Sequence, residues 1–121
     1  MEIQRVVPVF RIFDVGKARD FYLGFLGFAL DWEHRFEPDM PLYMQVSLGG
    51  FQLHLSEHHG DGTPGAVVFV QLAGLDAYHR EIMTKGYRYL RPGIEDRPWG
   101  MREMTVIDPF GNRIRFSEKT A

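Results

Sequence analysis

The sequence predicts an α+β fold built from two tandem βαβββ modules, and three observations carry that prediction. Strand-length runs rich in Val, Ile and Phe dominate the chain, with only two stretches of helical periodicity among them. The order strand, helix, three strands occurs once on each side of a polar stretch, residues 58–65. The two halves also resemble each other. Aligning LGGFQLHLSE (48–57) with PFGNRIRFSE (109–118) sets Gly50 against Gly111, Leu53 against Ile114, His54 against Arg115, and Ser56-Glu57 against Ser117-Glu118.

In the first half, Ile3 to Phe13 reads as a strand, with Pro8 confining that part to an edge or bulge. Asp14 suits a helix N-cap, and Ala18, Phe21, Tyr22, Phe25 and Leu26 then recur at helical spacing until Gly27 stops the helix. Phe28 to Phe36, Leu42 to Leu48 and Phe51 to Glu57 read as three strands. They are separated by the turn EPDMP (37–41) and by Gly49-Gly50.

HHGDGTPG (58–65) holds no large apolar residue and reads as a solvated linker. Beyond it, Ala66 to Leu72 is a strand, and Leu75, Tyr78 and Ile82, with Met83, form a second helical stripe ended by Gly86. Tyr87 to Leu90 reads as a short strand, Arg91 to Pro98 as a surface loop, Trp99 to Ile107 as a strand, and Asn112 to Glu118 as the last strand after the turn at Asp108 to Gly111. The expected organisation is a single domain over 1–121, made of repeats at about 1–57 and 66–121 joined by linker 58–65.

Composition narrows the function classes. A hydrophobic content of 45% in 121 residues supplies a core for one ordinary domain. A net charge of -2 argues against a broad phosphate-binding face, so no nucleic-acid partner is expected. The chain has no cysteine, which removes disulfides and thiolate chemistry and leaves His, Asp and Glu as metal ligands. The opening MEIQRVVPVFRIFD resembles neither a signal peptide nor a membrane span, so a cytoplasmic location with no membrane partner is expected.

One helix per half covers one face of a four-stranded sheet, and strand parity shows what the other face carries. Leu53 and Leu55 point one way, and Gln52, His54 and Ser56 the other; Ile114 and Phe116 likewise oppose Arg113, Arg115 and Ser117. His54 and Arg115 therefore occupy equivalent places on a mixed, polar face. The same parity puts Val7, Val9 and Arg11, and in the second half Val67, Phe69 and Gln71, on that face. Such a face with aromatic margins suits a small molecule. Trp32, Phe36, Tyr43 and Trp99 are the candidate walls, and Met44 and Met101 the adaptable apolar contacts.

The paired halves, the opening RIFDVGKARDFYLGFLGF and the ending WGMREMTVIDPFGNRIRF together resemble the vicinal oxygen chelate superfamily, in particular its glyoxalase-like and bleomycin-resistance branch. The resemblance spans nearly the whole chain. It implies modules side by side that form a curved mixed sheet around a cleft. Enzymes of that superfamily hold a divalent metal there, whereas the resistance proteins bind drug without metal at grooves between two subunits.

In the metal-dependent members the ligands come from the first and fourth strands of each half, which here fall at or beside Val7, His54, Val67 and Arg115. Of these only His54 can ligate, and Arg115 is a permanent cation. No metal or other cofactor is therefore expected. His54, Glu57, His58 and His59 crowd into six residues, but in an extended strand the Cα atoms of His54 and His58 stand about 13 Å apart, so His58 and His59 are read as solvated loop histidines.

The reading that follows is a homodimeric, metal-independent protein that sequesters an organic ligand, with a bleomycin-type antibiotic as the candidate partner. The ligand-binding residues would be Trp32, Phe36, Tyr43, His54, Trp99, Met101 and Arg115, none of them catalytic. The alternative is a metal-dependent glyoxalase-like lyase, isomerase or dioxygenase with a rearranged site around His54.

Overall fold

The computed structural model describes residues 1–120. The chain divides into two compact units, Met1–Pro64 and Gly65–Ala121. Among the described residues no helix is long and apolar enough to cross a membrane.

Unit 1 contains β1 (Val9–Arg11), helix α1 (Val15–Arg19) running directly into a π-helical stretch (Asp20–Phe25), then β2 (Ala29–His34), β3 (Tyr43–Leu48) and β4 (Phe51–Ser56). The sheet order is β1-β4-β3-β2, with β1 parallel to β4 and the other pairs antiparallel. Asp14 caps the helix as its sequence position predicts, its carboxylate accepting from the Lys17 amide at 2.8 Å. The Leu26 amide bonds back to the Phe21 carbonyl at 2.9 Å, the wider π spacing. That turn lets Phe21, Tyr22, Phe25 and Leu26 all reach the core, which also holds Phe10, Ile12, Met44, Val46, Leu53 and Leu55. Gly49 and Gly50, with φ of 54° and 90°, form the two-residue link from Leu48 to Phe51, a conformation that side chains resist at both positions.

Unit 2 repeats the order: β5 (Val67–Gln71), α2 (Leu75–Met83), β6 (Glu95–Arg97), β7 (Met101–Ile107) and β8 (Arg113–Lys119), with sheet order β5-β8-β7-β6. Leu75, Ile82, Met104, Val106, Ile114 and Phe116 form its core. Two α+β modules of βαβββ order, each a four-stranded mixed sheet with one helical segment on it, are thus the architecture.

Several strand readings from the sequence need correction. The first strand is confined to Val9–Arg11 instead of running from Ile3 to Phe13. Pro8 has no amide hydrogen and enters the ladder only through its carbonyl, which accepts from the His54 amide at 3.0 Å. Tyr87 to Leu90 forms no strand. The strand before β7 lies instead in the stretch read as a surface loop, as β6, whose register sets Glu95 against Glu103 and Arg97 against Met101. Trp99 then sits outside β7, in the tight turn closed by the Gly100 amide on the Arg97 carbonyl at 3.2 Å.

The turn DPFGN (108–112) is held by one side chain. Asp108 is buried, and its carboxylate accepts from the amides of Phe110 (2.8 Å) and Asn112 (2.9 Å) and from the Asn112 side chain (3.0 Å). This motif belongs to the scaffold.

Candidate functional site

The face of the unit 1 sheet away from its helix carries alternate residues of each strand. Tyr43 and Gln45 of β3 lie there, and β4 contributes His54 between buried Leu53 and Leu55. A bulge in β2 between Leu30 and Trp32 sets Trp32 level with Gln45. The result is an aromatic wall. The Trp32 and Tyr43 rings stack with centroids 6.0 Å apart and planes 12° from parallel, and His54 meets both edge-on, 5.4 Å from Trp32 and 5.1 Å from Tyr43. Trp32 remains 44% exposed, so the wall presents its face to solvent.

The wall extends through His58, whose ring lies 6.3 Å from Tyr43 and 6.3 Å from Phe36. Phe36 also packs edge-on against His34 at 4.9 Å. His58 is thus a partly buried member of the aromatic row, which corrects its reading as a solvated loop residue; its amide donates to Ser56 Oγ at 3.0 Å. His59 is exposed.

Beneath the rings runs a hydrogen-bonded chain that fixes the state of His54. Gln45 is buried, its Nε2 donating to Asp31 Oδ2 at 3.0 Å and its Oε1 accepting from the Arg5 guanidinium at 2.7 Å. Asp31 also accepts from Ser47 Oγ at 2.9 Å. With the amide oriented from both ends, Oε1 is an acceptor, so His54 Nε2, at 3.0 Å, donates to it. Nδ1 then accepts from the Tyr43 hydroxyl at 2.7 Å. The imidazole is neutral with its proton on Nε2. Burial, and secondarily the charge of Arg5, hold its pKa below the ordinary histidine value. Burial and then Asp61 push the Tyr43 hydroxyl up, keeping it a donor.

In unit 2 the residue equivalent to His54 is Arg115. His54 lies between Gln45 and Val9, and Arg115 between Thr105 and Phe69, in the same strand order. Met101, paired with Lys119, is buried and four residues along β7 from Thr105, about 13 Å away. Trp99 lies further still and is 65% exposed. The structure therefore gathers Trp32, Phe36, Tyr43 and His54 into one surface, and sets Trp99 and Met101 at the opposite end of β7 from Arg115. Met44, read as an adaptable contact, pairs with Leu55 and is fully buried on the helix side, because parity puts it opposite Tyr43 and Gln45.

Sequence reasoning missed Arg5, Asp31 and Gln45. Gln45 was within reach, since it alternates with Tyr43. Arg5 and Asp31 carry no such signal, because one precedes its strand and the other sits on the bulge.

The residues present do not fit the divalent metal that the family resemblance implies for its enzymes. The residues level with His54 and Arg115 are Val9 and Phe69, two positions beyond Val7 and Val67, and neither has a donor atom. One ring nitrogen of His54 carries a proton and the lone pair of the other is engaged by Tyr43. Glu57, the remaining candidate beside it, accepts from the Leu42 amide at 2.9 Å and lies 3.7 Å from Arg35. Among the described residues no three His, Cys, Asp or Glu side chains gather where they could hold an ion.

The fold has many solved counterparts. The chain is similar to a bleomycin resistance determinant encoded on the transposon Tn5, at 20% identity over 98% of this chain and 100% of that one with a TM-score of 0.76. It is similar to a bleomycin-binding protein solved with bleomycin, at 20% identity over 97% and 99% and a TM-score of 0.74. A glyoxalase-related enzyme from Clostridium phytofermentans matches at 19% identity over 98% and 97%, with a TM-score of 0.75. These likenesses establish the fold. No curated protein matches in sequence. The model of the family described as glyoxalase superfamily protein matches residues 1–121, and the chain belongs to the glyoxalase superfamily.

Proposed function

We propose that this protein binds a small organic ligand without metal, holding it against the aromatic face of unit 1, and acts by sequestration as a homodimer in the cytoplasm. One observation carries the reading: the stacked, solvent-facing Trp32 and Tyr43 rings stand over a histidine whose two nitrogens are both engaged by the protein itself. That arrangement offers flat apolar surface to a planar group, with no free donor set to activate it. Phe36 and His58 lengthen the surface, and Trp99, Met101 and Arg115 are the contributions proposed for unit 2.

A bleomycin-type antibiotic is the named candidate, on the likeness to the resistance determinant and the bleomycin-binding protein. A net charge of -2 gives little electrostatic pull on a polycationic drug, so stacking would have to supply most of the affinity.

Calorimetric titration with metal-free and with copper-loaded bleomycin tests this. Saturable binding that weakens in Trp32→Ala is the expected result; no heat and no melting shift with either form removes the drug. Near-stoichiometric Zn, Ni, Mn or Fe in untagged protein, lost in His54→Ala, would overturn the metal-free reading and favour a lyase, isomerase or dioxygenase.

A further inference from the structure

We infer that the open face of the unit 2 sheet binds an organic anion with an apolar body, its oxyanion gripped by Arg113 and Arg115 and its body seated on Val67 and Phe69. The inference rests on the reading that the protein holds a small organic ligand, and adds the chemical class that unit 2 selects.

Strand β8 alternates, with Ile114 and Phe116 buried and Arg113 and Arg115 exposed, so both guanidinium groups project from one face. On parallel β5, Val67 stands level with Arg113 and Phe69 with Arg115, and these two apolar side chains are 47% and 53% exposed. Adjacent strands lie about 4.8 Å apart and same-face neighbours about 7 Å apart. Both long side chains can thus reach one oxyanion while an apolar group lies on the β5 pair.

Four other arginines are matched with carboxylates. Arg102 meets Asp76 through two bonds of 2.7 and 3.1 Å, Arg97 meets Glu95 and Glu103, and Arg19 and Arg35 meet Glu33 and Glu57. Among the described residues, the guanidinium groups of Arg113 and Arg115 meet no carboxylate and donate no hydrogen bond. Glu103, on the same face, is already held by the Ser117 hydroxyl at 2.9 Å and by Arg97 at 3.4 Å. Arg115 is flanked by Thr105 and Phe69, neither of them acidic. Two like charges on one face repel, and a shared anion relieves that repulsion. The planar fork of arginine matches a carboxylate or a phosphoryl group and also stacks on aromatic faces.

The test is calorimetric titration of the full chain at low salt with 2-naphthoate, 2-naphthyl phosphate, neutral 2-naphthamide and inorganic phosphate. Saturable binding of an aryl oxyanion is expected, at least about tenfold weaker in Arg115→Gln and weakening as salt rises; whichever oxyanion binds tighter identifies the class. Equal affinity for 2-naphthamide, or no loss in the Arg113→Gln/Arg115→Gln double variant, overturns the inference. So does inorganic phosphate binding as tightly as the aryl phosphate, because the apolar seat would then contribute nothing. If the variants melt early, wild-type protein decides, since an oxyanion affinity that is flat across salt overturns the electrostatic grip. Sedimentation of Arg115→Gln separates the remaining occupant: a changed association state assigns the pair to a second copy of the chain and overturns the ligand. Bleomycin binding with no response to any oxyanion overturns this inference and leaves the proposed function standing. Oxyanion binding lost in Arg115→Gln, without a bleomycin response, supports it and removes only the drug.

Discussion

The Tyr43 hydroxyl donates to Nδ1 of His54 at 2.7 Å, and the opposite nitrogen of the same ring donates to Gln45, so one histidine is locked by two neighbours on the adjacent strand. The lock predicts the Nε2–H tautomer in solution. Imidazole nitrogen shifts at neutral pH should show Nε2 protonated and Nδ1 bare in the wild type. In Tyr43→Phe the ring packing stays and the lone pair of Nδ1 is released, so the Nδ1 resonance should move while the Nε2 resonance holds.

His54 titrates below the usual histidine value of 6.5, from burial first and the Arg5 charge second. A histidine whose folded pKa is depressed takes up a proton less readily when folded than when unfolded. Its contribution to stability is therefore complete above the unfolded value and is lost as pH falls through that value towards the lower folded one. Urea midpoints measured across this acid window should decline more steeply for the wild type than for His54→Gln. Arg5→Gln removes the second cause and should raise the titration midpoint of His54 by NMR; an unchanged midpoint would show that burial acts alone.

Trp32 stacks on Tyr43 while remaining nearly half exposed, so it contributes more to a ligand than to the fold. Trp32→Ala should cost about 1 kcal/mol of stability, the value of one aromatic pair. By contrast Met44→Ala, at a fully buried position, should cost about 2–5 kcal/mol. Denaturant midpoints check both. A larger loss for Trp32→Ala than for Met44→Ala would show the aromatic wall to be structural.

The two helices start differently. Asp14 caps its own helix, whereas α2 begins at Gly74, which has no side chain, and the Gly74 and Leu75 amides donate instead to the Glu118 carboxylate at 2.7 and 3.3 Å. Asp14→Ala and Glu118→Ala should each cost about 1 kcal/mol by thermal unfolding. Asp108→Ala removes the one acceptor shared by three bonds that hold the turn and should cost more, about 2–3 kcal/mol.

Much of this protein was legible in its residues. Alternation in QLHLS and RIRFS separated the helix-covered face from the open one and predicted that His54 and Arg115 are equivalent, because side chains in a strand alternate strictly. The apolar stripe after Asp14 marked the first helix for the same kind of reason, periodicity set by backbone geometry. Strand β6 was hidden because EDR is charged throughout, and a polar edge strand owes its existence to pairing with β7 alone.

By itself, then, the sequence determined the repeated βαβββ order, the faces of the long strands and the non-ligating side chains Val7, Val67 and Arg115 at positions where the family resemblance implies metal ligands. Only the tertiary structure decided the rest. Arg5 reaches Gln45 across 40 positions of chain and Glu118 caps a helix 44 positions before it, and no local pattern encodes such contacts. The bulge that sets Trp32 level with Gln45 and the bond that closes the last lone pair of His54 are likewise products of strands brought together. They turn a lone histidine that could have begun a metal site into the polar base of an aromatic surface.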